Sequence, residues 1–485
     1  MNKYEKYNES CTVLRIDNKE CLYHGKVYVE ENYRVFLDIL DIDQEMFLYI
    51  RGECGRVLRL QTNNYFITAK DYWFRKGSVK HITENSEETK FQVTIEIFNT
   101  CWGDTWCAEN EDDFIFDRVS CYITDGVELV GLTPYEKYDF LDLYKRDLDM
   151  EIKGEYKKVE TKLGISFIAC PEIVRNHTDL CFGIKSEIQL EFDKMLDIET
   201  IRKRLENLIL FFEILSGEMV TTKKVILYQG NKQYDYLGNC NFPKDSLRCF
   251  SNPFDSRTFI RKKLFKISDF LNGIDEAIEK MNFFIETKKL ALEAYKQILL
   301  DEEVGISTTN KFLKIMQMIE GMERNEVAEA AQKEFEEKKL QIIEKLAEQE
   351  DKDFVKKYCV NNGDNFIKCL QAISKKALAT LSGCSNKKVK QYHALLDNIK
   401  NDRDVYTHAS FTRNPVLSIE EMDCITYCYK TFFRIRVLLE LGISEALIKK
   451  RLLHDRLFVD SYQKVFELQI NVENYNTGEY DSIMS

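Results

Sequence analysis

The feature that most constrains this fold is a change of hydrophobic period near residue 260. Before it, apolar side chains recur at every second position. Phe91-Gln92-Val93-Thr94-Ile95-Glu96-Ile97-Phe98 alternates apolar and polar residues, as does the run from Cys181 to Phe192. A period of two puts successive side chains on opposite faces of a pleated strand, so both runs predict half-buried antiparallel strands. Val27 to Ile39, Phe47 to Ile50, Val57 to Leu60 and Tyr65 to Thr68 are rich in β-branched and aromatic residues and read as further strands. One main helix interrupts them. Ile201, Leu205, Leu208, Phe211, Phe212 and Leu215 recur at helical spacing from Ile198 to Leu215, and Gly217 stands just beyond. Val220 to Tyr228 returns to strand.

Beyond Leu264 the period becomes 3.6. Ile267 to about Asp301 reads as one long helical stretch. Ser307-Thr308-Thr309-Asn310 offers N-cap residues for a helix through Phe312, Ile315, Met316 and Ile319. Glu323 to Glu350 is dense in Ala, Glu, Lys and Gln, which predicts a solvated helix, or a hairpin of two, reaching away from the core. Asp353 to Val360, Asn365 to Leu381 and Asn386 to about Ala409 are also read as helical. Ser418 and Glu421 have the spacing of a capping box that opens a helix through Leu441, ending at Gly442. A last helix runs from Ser444 towards Phe458, and the tail after Leu468 is expected to fray. The chain of 485 residues exceeds one ordinary core. We therefore expect an α+β protein, with a β-rich domain over residues 1–255 and an all-helical domain over residues 256–485.

Composition narrows the function. The N-terminal ten residues have no apolar core of the kind a secretory signal needs. No run approaches the roughly 20 apolar residues that span a bilayer. A cytoplasmic protein with no membrane partner is expected. Fifteen cysteines, an odd number spread over the whole length, make no disulfide framework. Cys101-x5-Cys107 and Cys424-x3-Cys428 lack a second pair at zinc spacing, and there are only six histidines. Free, mostly buried thiols are expected, with no metal and no cofactor. Phosphate-binding loops, dinucleotide fingerprints, nucleophile elbows and HExxH are all missing. The net charge of −12 argues against a surface coated in nucleic acid. From Ser385 to Arg413, however, six basic residues face three acidic ones, which suits transient phosphate contact.

Within that segment, Arg403-Asp404-Val405-Tyr406-Thr407-His408 has a reaction behind it. RNA can be cut without a metal when the 2′-hydroxyl, relieved of its proton, attacks the adjacent phosphorus. Histidine transfers protons near neutral pH, and arginine donates paired hydrogen bonds to phosphate. On an ideal helix Arg403 and His408 diverge by about 140°, whereas Asp404 and His408, four apart, share a face. Asp404 is thus placed to accept a hydrogen bond from His408. Arg403 would need its length, a bent helix end or a second subunit to reach the same phosphate. With 21 Arg and six His in 485 residues, this spacing arises by chance in about one such chain in four. Arg75-x5-His81 is a near-match in the β-rich half. The alternative for Arg403 and His408 is a salt-bridged helix surface with Asp402 and Asp404. Tyr406 is a candidate for base stacking or for helix packing, and His393 for lining the same cleft or for plain exposure. The run from Cys101 to Trp106 is either an aromatic recognition loop or a pair of core anchors.

The motif closes a helix, and the short loop Ser410 to Leu417 and another long helix follow it. This arrangement resembles the HEPN ribonucleases, whose signature is Arg, then Asn, Asp or His, then a few residues, then His. Asp404 fills the polar position, where Asn is commonest in the family. A β-rich domain ahead of a helical one looks like the ApeA group of bacterial abortive-infection proteins. The likeness covers most of the chain by architecture, but only the six motif residues are specific. It implies a HEPN-type helical bundle and metal-independent endoribonuclease activity that leaves a 2′,3′-cyclic phosphate. Arg403 and His408 would act on the scissile phosphate and Asp404 would position them. The substrate would be RNA, such as tRNA, cut at a site shared by a homodimer or higher homo-oligomer built through the helical domain. The N-terminal domain would be a regulator or sensor, answering a phage-encoded trigger. A reading from another class is a non-catalytic scaffold, with helical assembly and a β-rich half that recognises a ligand or viral protein.

Overall fold

A computed structural model of the chain describes residues 8–30, 34–52, 55–81, 89–109, 111–123, 126–132, 157–175, 180–238, 265–270, 273–359, 366–381, 389–408, 414–453 and 455–466. The chain divides into two compact units. One holds residues 1–212, 220–262 and 266–268; the other holds 213–219, 263–265 and 269–485. The architecture is α+β, β-rich first and helical second. The boundary expected at 255 lies in residues 239–264, outside the described residues.

The first unit has β1 (Glu9–Ile16), β2 (Lys19–Val29), β3 (Val35–Ile42), α1 (Gln44–Gly52), β4 (Gly55–Thr62), β5 (Phe66–His81) and β6 (Thr89–Gly103). There follow β7 (Ile115–Ile123), α2 (Gly126–Val130), β8 (Lys157–Glu160), β9 (Ile165–Arg175), β10 (Leu180–Asp197), α3 (Ile198–Ser216), β11 (Thr222–Gln229) and β12 (Lys232–Gly238). The strands run in the order β3-β2-β1-β4-β5-β6-β12-β11-β7-β10-β9-β8, and a second pairing of β3 with β6 closes the first six into a barrel. β6 makes both arrangements possible because it is long. Its residues Phe91 to Ile97 pair with β3, and Asn99 to Gly103 pair with β12. The antiparallel strand anticipated here forms, and Val93, Ile95 and Ile97 join Val13, Leu37, Leu60 and Ile67 in the barrel core. The strand is not half-buried, however, because Thr94 and Glu96 on its other face are buried as well. Closure removes the exposed edges that an open sheet would carry.

The segment Phe47 to Ile50 is not a strand. It lies in α1, where Met46 and Ile50, four apart, are buried in the barrel core. Asp43 starts this helix by accepting the Met46 backbone N–H at 2.8 Å. Local capping and an i,i+4 apolar pair outweigh the strand preference of the side chains between them. Val27 to Ile39 is likewise two strands, β2 and β3.

The second unit holds a short 3₁₀ turn (Ile267–Phe270), α4 (Ile274–Thr287), α5 (Lys289–Val304), α6 (Thr308–Lys345), α7 (Gln349–Tyr358) and α8 (Phe366–Leu381). Then come α9 (Val389–His408), α10 (Ile419–Glu440), α11 (Glu445–Leu452) and α12 (Arg456–Phe466). α10 is buried nearly all round from Met422 to Leu438, as expected of a central helix. It carries three buried cations, and Lys430 is matched to Glu302 at 2.6 Å. The capping box forms: the Glu421 N–H donates to Ser418 Oγ at 3.2 Å, and the Ser418 N–H donates to Glu421 Oε2 at 2.8 Å.

Three boundaries differ from expectation. The stretch from Ile267 breaks at Lys288, whose ammonium donates to the Met322 carbonyl on α6 at 2.6 Å. The charged run after Glu323 continues α6 as one helix, and Lys339 donates to the carbonyls of Lys356 and Cys359 at 3.0 and 2.9 Å. The last helix is two, α11 and α12; Asp455 accepts the Phe458 N–H at 3.2 Å and starts the second. The tail after Leu468 lies outside the described residues. The ten described cysteines are free and six of them are buried. No helix among the described residues is long and apolar enough to cross a membrane.

Candidate active site

The motif sits at the end of α9. Leu396, Ile399, Asp402 and Val405, spaced three apart, form the buried stripe of this helix. A carboxylate on such a stripe must find donors, because an unpaired buried charge is costly. Asp402 finds them in the segment that leads into α10: Oδ1 accepts the Val416 N–H at 2.8 Å and Oδ2 the Leu417 N–H at 2.9 Å. Asn401 adds donations to Asp402 Oδ1 at 3.1 Å and to the Asn414 carbonyl at 3.2 Å. Asp402 is therefore a buried clip for the segment before α10, not part of a salt-bridged surface.

One residue later the helix has turned by about 100°, and Arg403 emerges towards α6 and α8. Its Nη1 donates to Asp404 Oδ1 at 3.0 Å and its Nη2 to Glu320 Oε2 at 2.9 Å. Its Cζ lies 4.7 Å from the centroid of the Phe366 ring, a cation–π contact. The three charged side chains are each about a quarter exposed, at 23–24%. Burial works against the Arg403 charge, but the bonds and attraction of Asp404 and Glu320 outweigh it and raise its pKa. The guanidinium is thus permanently charged, gripped in plane at two nitrogens and covered on one face.

Asp404 Oδ1 accepts from Arg403; the partnership with His408 anticipated from their spacing lies outside the described residues. His408 is the last residue of α9, and its side chain, like that of His393, lies outside the described residues. α9 runs unbroken through 408, so the divergence of about 140° between Arg403 and His408 stands. Tyr406 is half-buried. Glu320 and Phe366 had no local signal, standing 83 and 37 positions before Arg403. The one available clue was that Glu320 is the first acidic residue of α6.

The near-match elsewhere is a different object. Arg75 lies on β5 and binds the buried Glu96, which also accepts Arg34 Nε at 2.5 Å. Trp102 is a core residue that donates to Thr100 Oγ1 at 3.0 Å, and Trp106 packs against Phe66 and Arg59. A cavity of about 280 Å³ in the helical unit, lined by Leu395, Leu417, Ser418, Glu421, Cys424 and Lys464 among others, includes no motif residue.

Residues 313–447 match the model of the Apea-like HEPN family. No curated protein and no solved structure matches the chain significantly. The matched stretch takes in most of α6, all of α7 to α10 and the start of α11, and so contains Glu320, Phe366 and the whole of the Arg403–His408 motif. Residues 313–447 are thus an Apea-like HEPN domain.

Proposed function

We propose that this protein is a metal-independent endoribonuclease whose reaction is carried by Arg403 and His408, acting as the toxic effector of an antiphage defence. One observation carries the reading: the HEPN match encloses an Arg-x4-His motif on one helix, with its arginine held by two carboxylates and an aromatic ring. In the reaction, a base removes the proton of the 2′-hydroxyl, and the 2′-oxygen bonds to phosphorus. The bond from phosphorus to the 5′-oxygen breaks and that oxygen takes up a proton, giving a 2′,3′-cyclic phosphate and a 5′-hydroxyl. His408 serves the proton transfers, since its unperturbed pKa lies near neutrality. Arg403 stabilises the charge that builds on the phosphoryl oxygens, and Asp404 helps to position it.

Because Arg403 and His408 diverge on one helix, the complete site is shared between two copies of the chain. A twofold pairing of the helical domains supplies both groups to one cleft. The β-rich domain acts as regulator, and a phage-encoded component releases the activity towards RNA, with structured RNA such as tRNA as the candidate substrate.

The test is RNA cutting by the purified protein in EDTA, with and without lysate of phage-infected cells, and identification of the new ends. A 2′,3′-cyclic phosphate that disappears in Arg403→Ala and His408→Ala proteins of normal fold is the expected result. Full cutting by both variants, or intact RNA under all these conditions and during infection, overturns the reading and leaves a binding scaffold in its place.

A further inference from the structure

Arg403 has long, flexible χ torsions, so a phosphate contact of defined direction requires the side chain to be held. Asp404 cannot do this alone. It is the next residue on the same helix and ties the guanidinium only to its own backbone. Glu320 is different because it comes from α6, whose first half is core: Phe312, Ile315, Met316 and Ile319 are all buried. The backbone beside it is also pinned. A Cβ placed on Gly321 would lie 3.0 Å from the backbone nitrogen of Ala291 on α5, so α6 and α5 are in close contact one residue after Glu320. The Glu320 carboxylate is therefore a fixed point against which Arg403 Nη2 is set at 2.9 Å.

The number of donors favours orientation over blockade. A guanidinium has five N–H groups. Among the described residues, one goes to Asp404 and one to Glu320, which leaves Nε–H and one N–H on each Nη for a phosphate. The Phe366 ring stands against the guanidinium and restrains its tilt. We propose that Glu320 is a positioning residue for Arg403, setting the direction of its remaining N–H donors towards the scissile phosphate; this rests on the nuclease reading above. Such a residue acts on the transition state through arginine, so its loss lowers kcat more than it changes KM.

The experiment compares EDTA-resistant RNA cleavage by the full chain and by Glu320→Ala, Glu320→Gln, Glu320→Asp, Arg403→Ala and the double variant Arg403→Ala/Glu320→Ala, with thermal unfolding of each. Displacing a catalytic group by around an ångström costs up to about 100-fold, so Glu320→Ala is expected to lose about tenfold or more in kcat. Glu320→Gln keeps an acceptor oxygen and stays within about threefold of wild type, while Glu320→Asp, shorter by one methylene, falls with Ala. The double variant is no slower than Arg403→Ala alone, because both act through one group. Should Glu320→Ala refuse to fold, the Gln and Asp pair carries the comparison. Cleavage by Glu320→Ala, or by Glu320→Asp in its place, at or above the wild-type rate overturns the assignment, and a faster rate makes Glu320 a restraining counter-ion instead. Cutting by Arg403→Ala at the wild-type rate, or a wild-type chain that leaves RNA intact both with and without lysate of phage-infected cells, overturns the nuclease reading and this assignment with it.

Discussion

In the barrel, Arg34 and Arg75 converge on the single carboxylate of Glu96, whereas in the helical unit the carboxylates of Glu320 and Asp404 converge on the single guanidinium of Arg403. Both clusters include an aromatic ring, Trp73 against Arg75 and Phe366 against Arg403. They differ in what they hold still. Glu96 is 3% exposed and its two arginines are 35–38% exposed, so the barrel cluster neutralises a buried anion with surface cations. That arrangement is stabilising work, since a buried charge left alone is expensive. At the motif the cation is the shared member, and it keeps N–H groups to spare. Two sequence matches of nearly equal spacing, Arg75 to His81 and Arg403 to His408, thus sit in clusters of opposite design. Residue type and spacing alone do not separate these two arrangements; the number of charges each partner must satisfy does.

The largest effect that could break this comparison is on activity. Arg403→Ala and His408→Ala should each lower EDTA-resistant RNA cleavage by about 100-fold or more, while Arg75→Ala and His81→Ala leave the initial rate unchanged. Loss of cutting in the Arg75 or His81 variants would mean the wrong match has been chosen.

Next in size is Asp402, which is fully buried and accepts two backbone N–H groups. Asp402→Ala should cost about 3 kcal/mol in urea unfolding, because hydrogen bonds to a charged acceptor are lost and two buried donors are orphaned. Asp404→Ala, at a partly exposed site, should cost far less. Equal costs would return Asp402 to the surface.

In the barrel, Glu96→Gln should destabilise by about 2 kcal/mol, discounted because both arginines are partly exposed and screened. Burial, and then the repulsion of Arg34, already lower the pKa of Arg75, and removing the carboxylate leaves that repulsion unopposed. Differential scanning calorimetry should show the loss; an unchanged profile would remove the stabilising role.

The smallest effect is at the start of α10. Ser418→Ala should cost about 1 kcal/mol by removing the hydroxyl half of the capping box, its bonds with the Glu421 N–H and carboxylate. The hydrogen bonds from the Ser418 backbone N–H and hydroxyl hold the Glu421 carboxyl below its ordinary 4.5. A carboxyl lowered by folding contributes stability above its unfolded pKa and loses it as pH falls through the folded value. The gap between Ser418→Ala and wild type should therefore be full at neutral pH and shrink in acid. A gap that widened in acid would rule out the charged capping box.

Much of the fold was legible because it depends on local periodicity. The alternation along Phe91 to Phe98 is the barrel face of β6, and Ser418 with Glu421 is the cap of α10. The errors fell where a local detail outweighs the average. Asp43 turned Phe47 to Ile50 into a helix, and the breaks at Lys288 and before Asp455 interrupted patterns that looked continuous. At the site, the motif residues and their divergence on one helix were legible. Their partners were not. Asp402 read as one more surface acid because nothing nearby in the sequence marks the backbone N–H groups of Val416 and Leu417 as its donors.

Sequence by itself determined the change from a period of two to one of 3.6, and hence a β-rich half followed by a helical one. It also set which side chains are suited to proton transfer and phosphate contact, since that aptitude belongs to residue type. Only the tertiary structure decided that β3 and β6 close a barrel, that Asp402 is a clip, and that Glu320 and Phe366 meet Arg403. Those contacts join residues 14 to 83 positions apart, and a hydrogen bond or a ring contact depends on ångström distances that no spacing along a chain encodes.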